Sequence, residues 1–313
     1  MSSEPDNVDM LKTSSGVKLY RNWRDAVIID SDLPAIRAKA DPSCCDRKDR
    51  FNDPKSLANT YPKICSEHSE DRLTWIFFRS LERSGRTKDF IQFCFPDWLP
   101  IQRQEFLRTL YWHRAAKSAN IEPDIHEALG ELEPYQRLHP KNSQHTETDA
   151  AIKMSNSRIM VEAKLRNDGG RTGWERDGSG KVPRQYREHA IRLLKSPKQK
   201  YWECITLEFY QPMRNLMLAC ALEKGDLSRV GLLLIVNGKA NTPERDMYGQ
   251  AFLRLKDTLL IPGNQMSLRS WHELVSWAKL RGPDMKCAAD ELEANPLLRS
   301  LRSPSLASPT TRH

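Results

Sequence analysis

Residues 229–238 read RVGLLLIVNG. A continuous apolar run of this length is the mark of a strand buried on both faces. Such a strand sits inside a sheet with helices above and below it, so it calls for helical partners nearby. The neighbouring sequence supplies them. Residues 206–223, TLEFYQPMRNLMLACALE, read as a helix that starts or kinks at Pro212 and is stopped by Gly225. Residues 244–256 read as the helix that follows, TLLIPG as a short strand, and 267–280 as a closing helix.

Upstream, SEDRLTWIFFRSLERSG predicts a well-marked helix. Ser69 is its N-cap candidate, Glu70 and Asp71 fill the first turn, and Gly85 follows the end. Leu73, Phe77 and Leu81 recur at helical spacing. Residues 100–118 read as a second helix with Pro100 near its start, and 184–195 as another. Helix, paired strands, helices and a buried strand describe an α/β domain with a mixed central sheet flanked by helices. The 313 residues suit one large domain with appendages. We expect that domain over residues 65–281, an irregular N-terminal arm over 1–64, and a disordered tail over 282–313. Within the arm, DAVIIDSDLPAIRAK has the makings of a strand or short helix. The tail ends in RSLRSPSLASPTTRH, rich in Ser, Pro and Arg.

No apolar stretch approaches the roughly 18 residues that span a membrane, and the N-terminus lacks a basic segment followed by an apolar run. Seven scattered cysteines contain no C-x-x-C pair. The expectation is a reduced, cytoplasmic protein with no membrane partner and no structural zinc. Net charge is +8, and residues 158–200 hold 12 Lys and Arg against 5 Asp and Glu. Charge concentrated in this way points to a polyanionic partner, nucleic acid first. Arg184, Arg187 and Arg192 are the candidates to line such a groove. A solvated basic loop is the alternative.

The chemistry is concentrated in QHTETDAAIKMSNSRIMVEAKLRND, residues 144–168. It reads as strands near 146–154 and 158–165, joined by a turn at Ser155–Ser157. On the second strand Ile159, Val161, Ala163 and Leu165 share one face, and Met160, Glu162 and Lys164 share the other. Turning at SNS makes paired positions sum to about 311–313, which sets Asp149 opposite the Glu162–Lys164 stretch. Charges are costly to bury unless paired or bound to an ion. Asp149, Glu162 and the carbonyl between Glu162 and Lys164 offer oxygen ligands for a hard divalent cation such as magnesium. Lys164 would stabilise attacking hydroxide or charge developing on a phosphate. The alternative is a cross-strand salt bridge on a solvated sheet face, worth ~0–1 kcal/mol.

Asp149, Glu162, Ala163 and Lys164 resemble the metal-binding signature of the PD-(D/E)XK nuclease superfamily, with TETD in place of Pro-Asp. The resemblance covers roughly residues 65–280. It implies a restriction-endonuclease-like fold: a helix (69–83), a three-stranded meander carrying the acids (about 134–165), a helix (206–223) and a buried strand (229–237). It also implies a magnesium-dependent nuclease, with manganese as a substitute ion, acting on nucleic acid and most of all DNA in restriction, defence or repair. A homodimer is compatible with it. Many members take a further metal-binding Glu from the first helix, and Glu70 lies on the inward line of Leu73, Phe77 and Leu81. A Glu complementing the helix dipole is the other reading. FYQPMRN resembles a bacterial restriction-endonuclease-like subgroup in which a Gln of this helix approaches the site. That makes Gln211 a candidate catalytic residue and Arg214 a phosphate ligand, with a capping Gln and a solvated Arg as the alternative. Gln185 is a lesser rival. A nuclease-fold protein that binds nucleic acid without turnover is the competing function. DGSGKV fails as a phosphate loop, because Glu175 stands at the earlier glycine and Val182 at the Ser/Thr. Trp271 and Trp277 read as core.

Overall fold

The computed structural model describes residues 10–12, 18–20, 23–40, 64, 69–132, 148–165, 184–196, 209–238 and 243–299. A small ladder of β1 (Met10–Lys12) and β2 (Lys18–Tyr20) comes first. Helices α1 (Trp23–Ala26), α2 (Pro34–Ala40), α3 (Glu70–Arg83), α4 (Thr87–Cys94) and α5 (Leu99–Gln102) follow. Then come β3 (Phe106–Tyr111), β4 (Arg114–Ala115), α6 (Pro123–Leu132), β5 (Ala150–Met154) and β6 (Arg158–Ala163). Helices α7 (Arg184–Arg192) and α8 (Tyr210–Leu222) lead to β7 (Val230–Val236) and α9 (Pro243–Thr258). The described chain closes with β8 (Met266–Ser270), α10 (Trp271–Ala278), α11 (Pro283–Ala294) and α12 (Pro296–Arg299).

Six strands form one mixed sheet in the order β4-β3-β5-β6-β7-β8. The first four run as an antiparallel meander, while β6, β7 and β8 are parallel. Every residue of β7 is buried, as its unbroken apolar sequence requires. Its side chains divide between two cores. Leu233 and Ile235 join Leu73, Phe77, Phe90 and Trp271 on one face. Val230, Leu232, Leu234 and Val236 join Met213, Leu216 and Leu255 on the other. The meander places its residues as their alternation dictates: Ile159, Val161, Ala163 and Leu165 lie in the first core and Met160 in the second. Gly231 is where β7 passes under Trp98, and a Cβ there would come within 2.7 Å of that indole.

Four expectations are corrected. Residues 100–118 are not a helix: after the single turn of α5 they become β3 and β4. Trp112 and His113, with φ of 47° and 67°, make the tight left-handed turn between the two strands, a conformation no helix contains. The first strand of the meander therefore lies at 106–111, ahead of α6, rather than within 134–165. TLLIPG is not a strand: Thr258 ends α9, the residues after it form a bend with one isolated bridge from Leu259 to Leu194, and the strand instead occupies Met266–Ser270, where the closing helix was expected to begin. Residues 283–299 are helical, not tail, and Met285, Ala289, Leu292 and Leu298 enter the first core. The arm is likewise anchored, for Ala26, Val27, Ala35, Ile36 and Ile64 are buried in that core. Residues 300–313, and residues 41–63 of the arm, lie outside the described ones.

Candidate active site

The site forms where β5 begins and β6 ends. The hairpin register pairs Ala150 with Val161 and Lys153 with Arg158, sums of 311, so Asp149 stands across from Glu162. The backbone fixes this pairing further, because the Ala163 N–H donates to Asp149 Oδ2 at 2.8 Å. Glu162 is 2% exposed and Lys164 8%. That removes the alternative of a solvated salt bridge on an open sheet face. The Lys164 Nζ lies 2.5 Å from Glu162 Oε1 and 3.6 Å from Glu70 Oε2.

Glu70 reaches this point because α3 starts beside the sheet. Ser69 caps the helix by accepting the Arg72 N–H at 3.1 Å, and the first-turn carboxylate is left to turn outward. Its Oε1 accepts the Leu165 N–H at 2.8 Å, clamping the strand just beyond β6. The inward line of Leu73, Phe77 and Leu81, all buried, holds α3 in that orientation.

Charge in the site is unbalanced. Burial, with the neighbouring Glu162 charge, pushes half-buried Asp149 well above the usual carboxylate range. Burial also raises Glu70, against the lowering effect of Lys164 and the Leu165 N–H. Burial alone would lower the Lys164 ammonium, but Glu162, Asp149 and Glu70 together outweigh it and hold the group above its ordinary value. Three carboxylates against one ammonium leave a negative excess, and hard oxygen donors of that kind suit a divalent cation. Among the described residues no three His, Cys, Asp or Glu side chains are already gathered as a cation cage. The donors fit such an ion in chemistry, and Lys164 now stands between two of them.

The amide that meets the acids is Asn215. Its Nδ2 donates to Glu162 Oε2 at 2.7 Å, and its Oδ1 accepts from the Thr148 hydroxyl at 3.0 Å. His113 Nε2 lies 2.9 Å from that hydroxyl and 3.1 Å from the Thr148 backbone N, which donates to it. Gln211 is half-buried one turn earlier on α8, and no contact joins it to the acids among the described residues. Gln211 and Asn215 are four apart and share one face of α8, and it is Asn215 that contacts Glu162. Asn215, at 1% exposure, is silent in the sequence because a lone Asn beside apolar residues carries no signal of its own. Arg214 is buried at 5% exposure, away from the outer surface where a phosphate backbone is first met. Arg187 and Arg192 are exposed on α7. Arg184 opens the same helix, but its side chain and that of Gln185 lie outside the described ones, as do residues 166–183 of the basic stretch.

A mixed sheet between two helical layers, with acids and a lysine at one end of its hairpin, is a restriction-endonuclease-like architecture. The chain matches the family described as restriction endonuclease associating with ARP over residues 105–293. That is more than half of its 313 residues, and the protein belongs to this family. No curated protein and no solved structure matches it. The family gives the chain a nuclease-like, hydrolase character and nucleic acid as its partner. Among the described residues no helix is long and apolar enough to cross a membrane.

Proposed function

We propose that this protein is a metal-dependent nuclease of the PD-(D/E)XK kind, hydrolysing phosphodiester bonds in nucleic acid, DNA foremost. The observation that supports this most is the meeting of Asp149, Glu162 and Lys164 at one end of the sheet, with Glu70 closing over them. Asp149, Glu162 and Glu70 would hold the cation, magnesium first and manganese in its place. Such a cation, when bound, polarises a phosphoryl oxygen and makes its own water more acidic. Lys164 keeps its charge and stabilises the negative charge that builds on the attacked phosphate. To do so it swings from Glu162 toward the substrate, and its long flexible stem permits that. Arg187 and Arg192, with Arg184 on the same helix, would position the phosphate backbone.

One feature favours a second reading, a nuclease-fold binder without turnover: Lys164 is already engaged by two carboxylates. The test is to incubate the protein with linear DNA, circular DNA and RNA, in magnesium and in EDTA, beside the Lys164→Ala variant. Cleavage in magnesium alone, abolished in the variant, supports the nuclease, and cutting of circular DNA marks it as an endonuclease. Equal cleavage in EDTA, or full activity of the variant, overturns the reading. Binding with no cleavage under any metal condition supports the second.

A further inference from the structure

Glu162 is the most enclosed acid of the site, and its orientation is set by a chain of groups outside the metal-binding set. A carboxylate only accepts hydrogen bonds, so Glu162 Oε2 at 2.7 Å fixes which end of the Asn215 amide faces it. The Asn215 Oδ1 is thereby turned to Thr148, whose hydroxyl must donate to it at 3.0 Å. Thr148 is held in turn through its backbone N–H, which donates to His113 Nε2 at 3.1 Å, and the same ring nitrogen lies 2.9 Å from the hydroxyl oxygen. All of these residues are buried: His113 and Thr148 at 1%, Asn215 at 1% and Glu162 at 2%. Solvent therefore does not substitute for a missing link.

The chain also spans three separate elements. His113 sits in the left-handed turn after β3, with φ of 67°. Thr148 directly precedes Asp149, and Asn215 lies in the middle of α8. An amide that donates to one oxygen of Glu162 leaves the other to Lys164 at 2.5 Å. A flipped amide would turn its own oxygen on the carboxylate and push Glu162 out of that arrangement.

We infer that Asn215 and Thr148 are positioning residues that hold Glu162 in the orientation the metal requires, with His113 anchoring the Thr148 backbone. The inference rests on the nuclease reading for its purpose, though not for its geometry. Partners of this kind typically change metal affinity or activity about 10–100-fold when removed.

The experiment compares Thr148→Val, which keeps the shape and removes the hydroxyl, with Thr148→Ser, which restores the hydroxyl. Thr148→Ala serves if the valine variant does not fold. Manganese affinity is measured by titration, kcat and KM are separated on DNA, and the Asn215 side-chain amide is followed by NMR. In the wild type that amide should be protected from exchange and shifted by its carboxylate partner. Removing the hydroxyl should weaken manganese binding about tenfold or more, lower kcat with little change in KM, and abolish the amide protection. Serine should restore all three. If the valine variant only melts earlier, with manganese affinity and the amide signal unchanged, the role is structural and the inference falls while the nuclease reading stands. If the wild type neither binds manganese nor cleaves, the nuclease reading falls. The orientation chain then stands or falls on the amide signal: its disappearance in valine with return in serine upholds it, and no change overturns it.

Discussion

Asp149 carries an uncomfortable charge, since burial and the nearby Glu162 both oppose its ionisation. Its native pKa lies above its unfolded one, so the folded protein binds the extra proton between the two values. Its contribution to stability is therefore greatest below the ordinary carboxylate range, and it is lost as pH climbs through the raised value. Denaturation of the metal-free protein across that window should show falling stability with rising pH, and Asp149→Asn should flatten the slope. Magnesium should raise the wild-type Tm by mass action, most at the higher pH, and Asp149→Asn should weaken that rise. Lys164→Ala should separate binding from chemistry. Single-turnover assays should show cleavage reduced by several orders of magnitude, about 4 kcal/mol or more of transition-state stabilisation. Calorimetry should show magnesium still bound. These acids and the lysine were legible because strand alternation and a short turn fix which residues meet. Asn215 was not, since its partner lies 53 positions away and only the packing of α8 on β6 brings the two together.

At the level of elements, the hairpin register and the β7 strand could be read directly, because both follow from local alternation and apolar length. Residues 106–111 could not. FLRTLY mixes helix formers with strand formers, and the choice is made by pairing with β5, which is distant in sequence. Gly231 is equally silent in sequence, and its reason is the Trp98 ring pressed on it. Gly231→Ala should cost about 1–3 kcal/mol by overpacking, measured by urea denaturation. The start of α3 matters for another reason. Glu70→Gln keeps an oxygen to accept the Leu165 N–H but removes a charge from the site. Stability should change by less than about 1 kcal/mol, while titration should show magnesium bound more weakly and cleavage should slow.

For the whole molecule, the positive charge has to meet its partner at a surface, and α7 offers one with Arg187 and Arg192 exposed. Neutralising Arg184, Arg187 and Arg192 together should weaken DNA binding. The salt dependence should flatten by about 0.9 in log–log slope for each phosphate that is no longer neutralised. Unchanged affinity in a low-salt titration would place the groove elsewhere. The final helices matter on this scale too. Arg72, in the first turn of α3, donates to Glu291 Oε2 on α11 across 219 positions of chain, and Glu70 holds Leu165 across 95. Bringing such distant segments together costs chain entropy before the interaction repays it. On the ribosome the acidic hairpin emerges with its two strands adjacent, well before α11. A chain made only as far as the hairpin therefore carries the acids without the brace that α11 gives to the helix presenting Glu70.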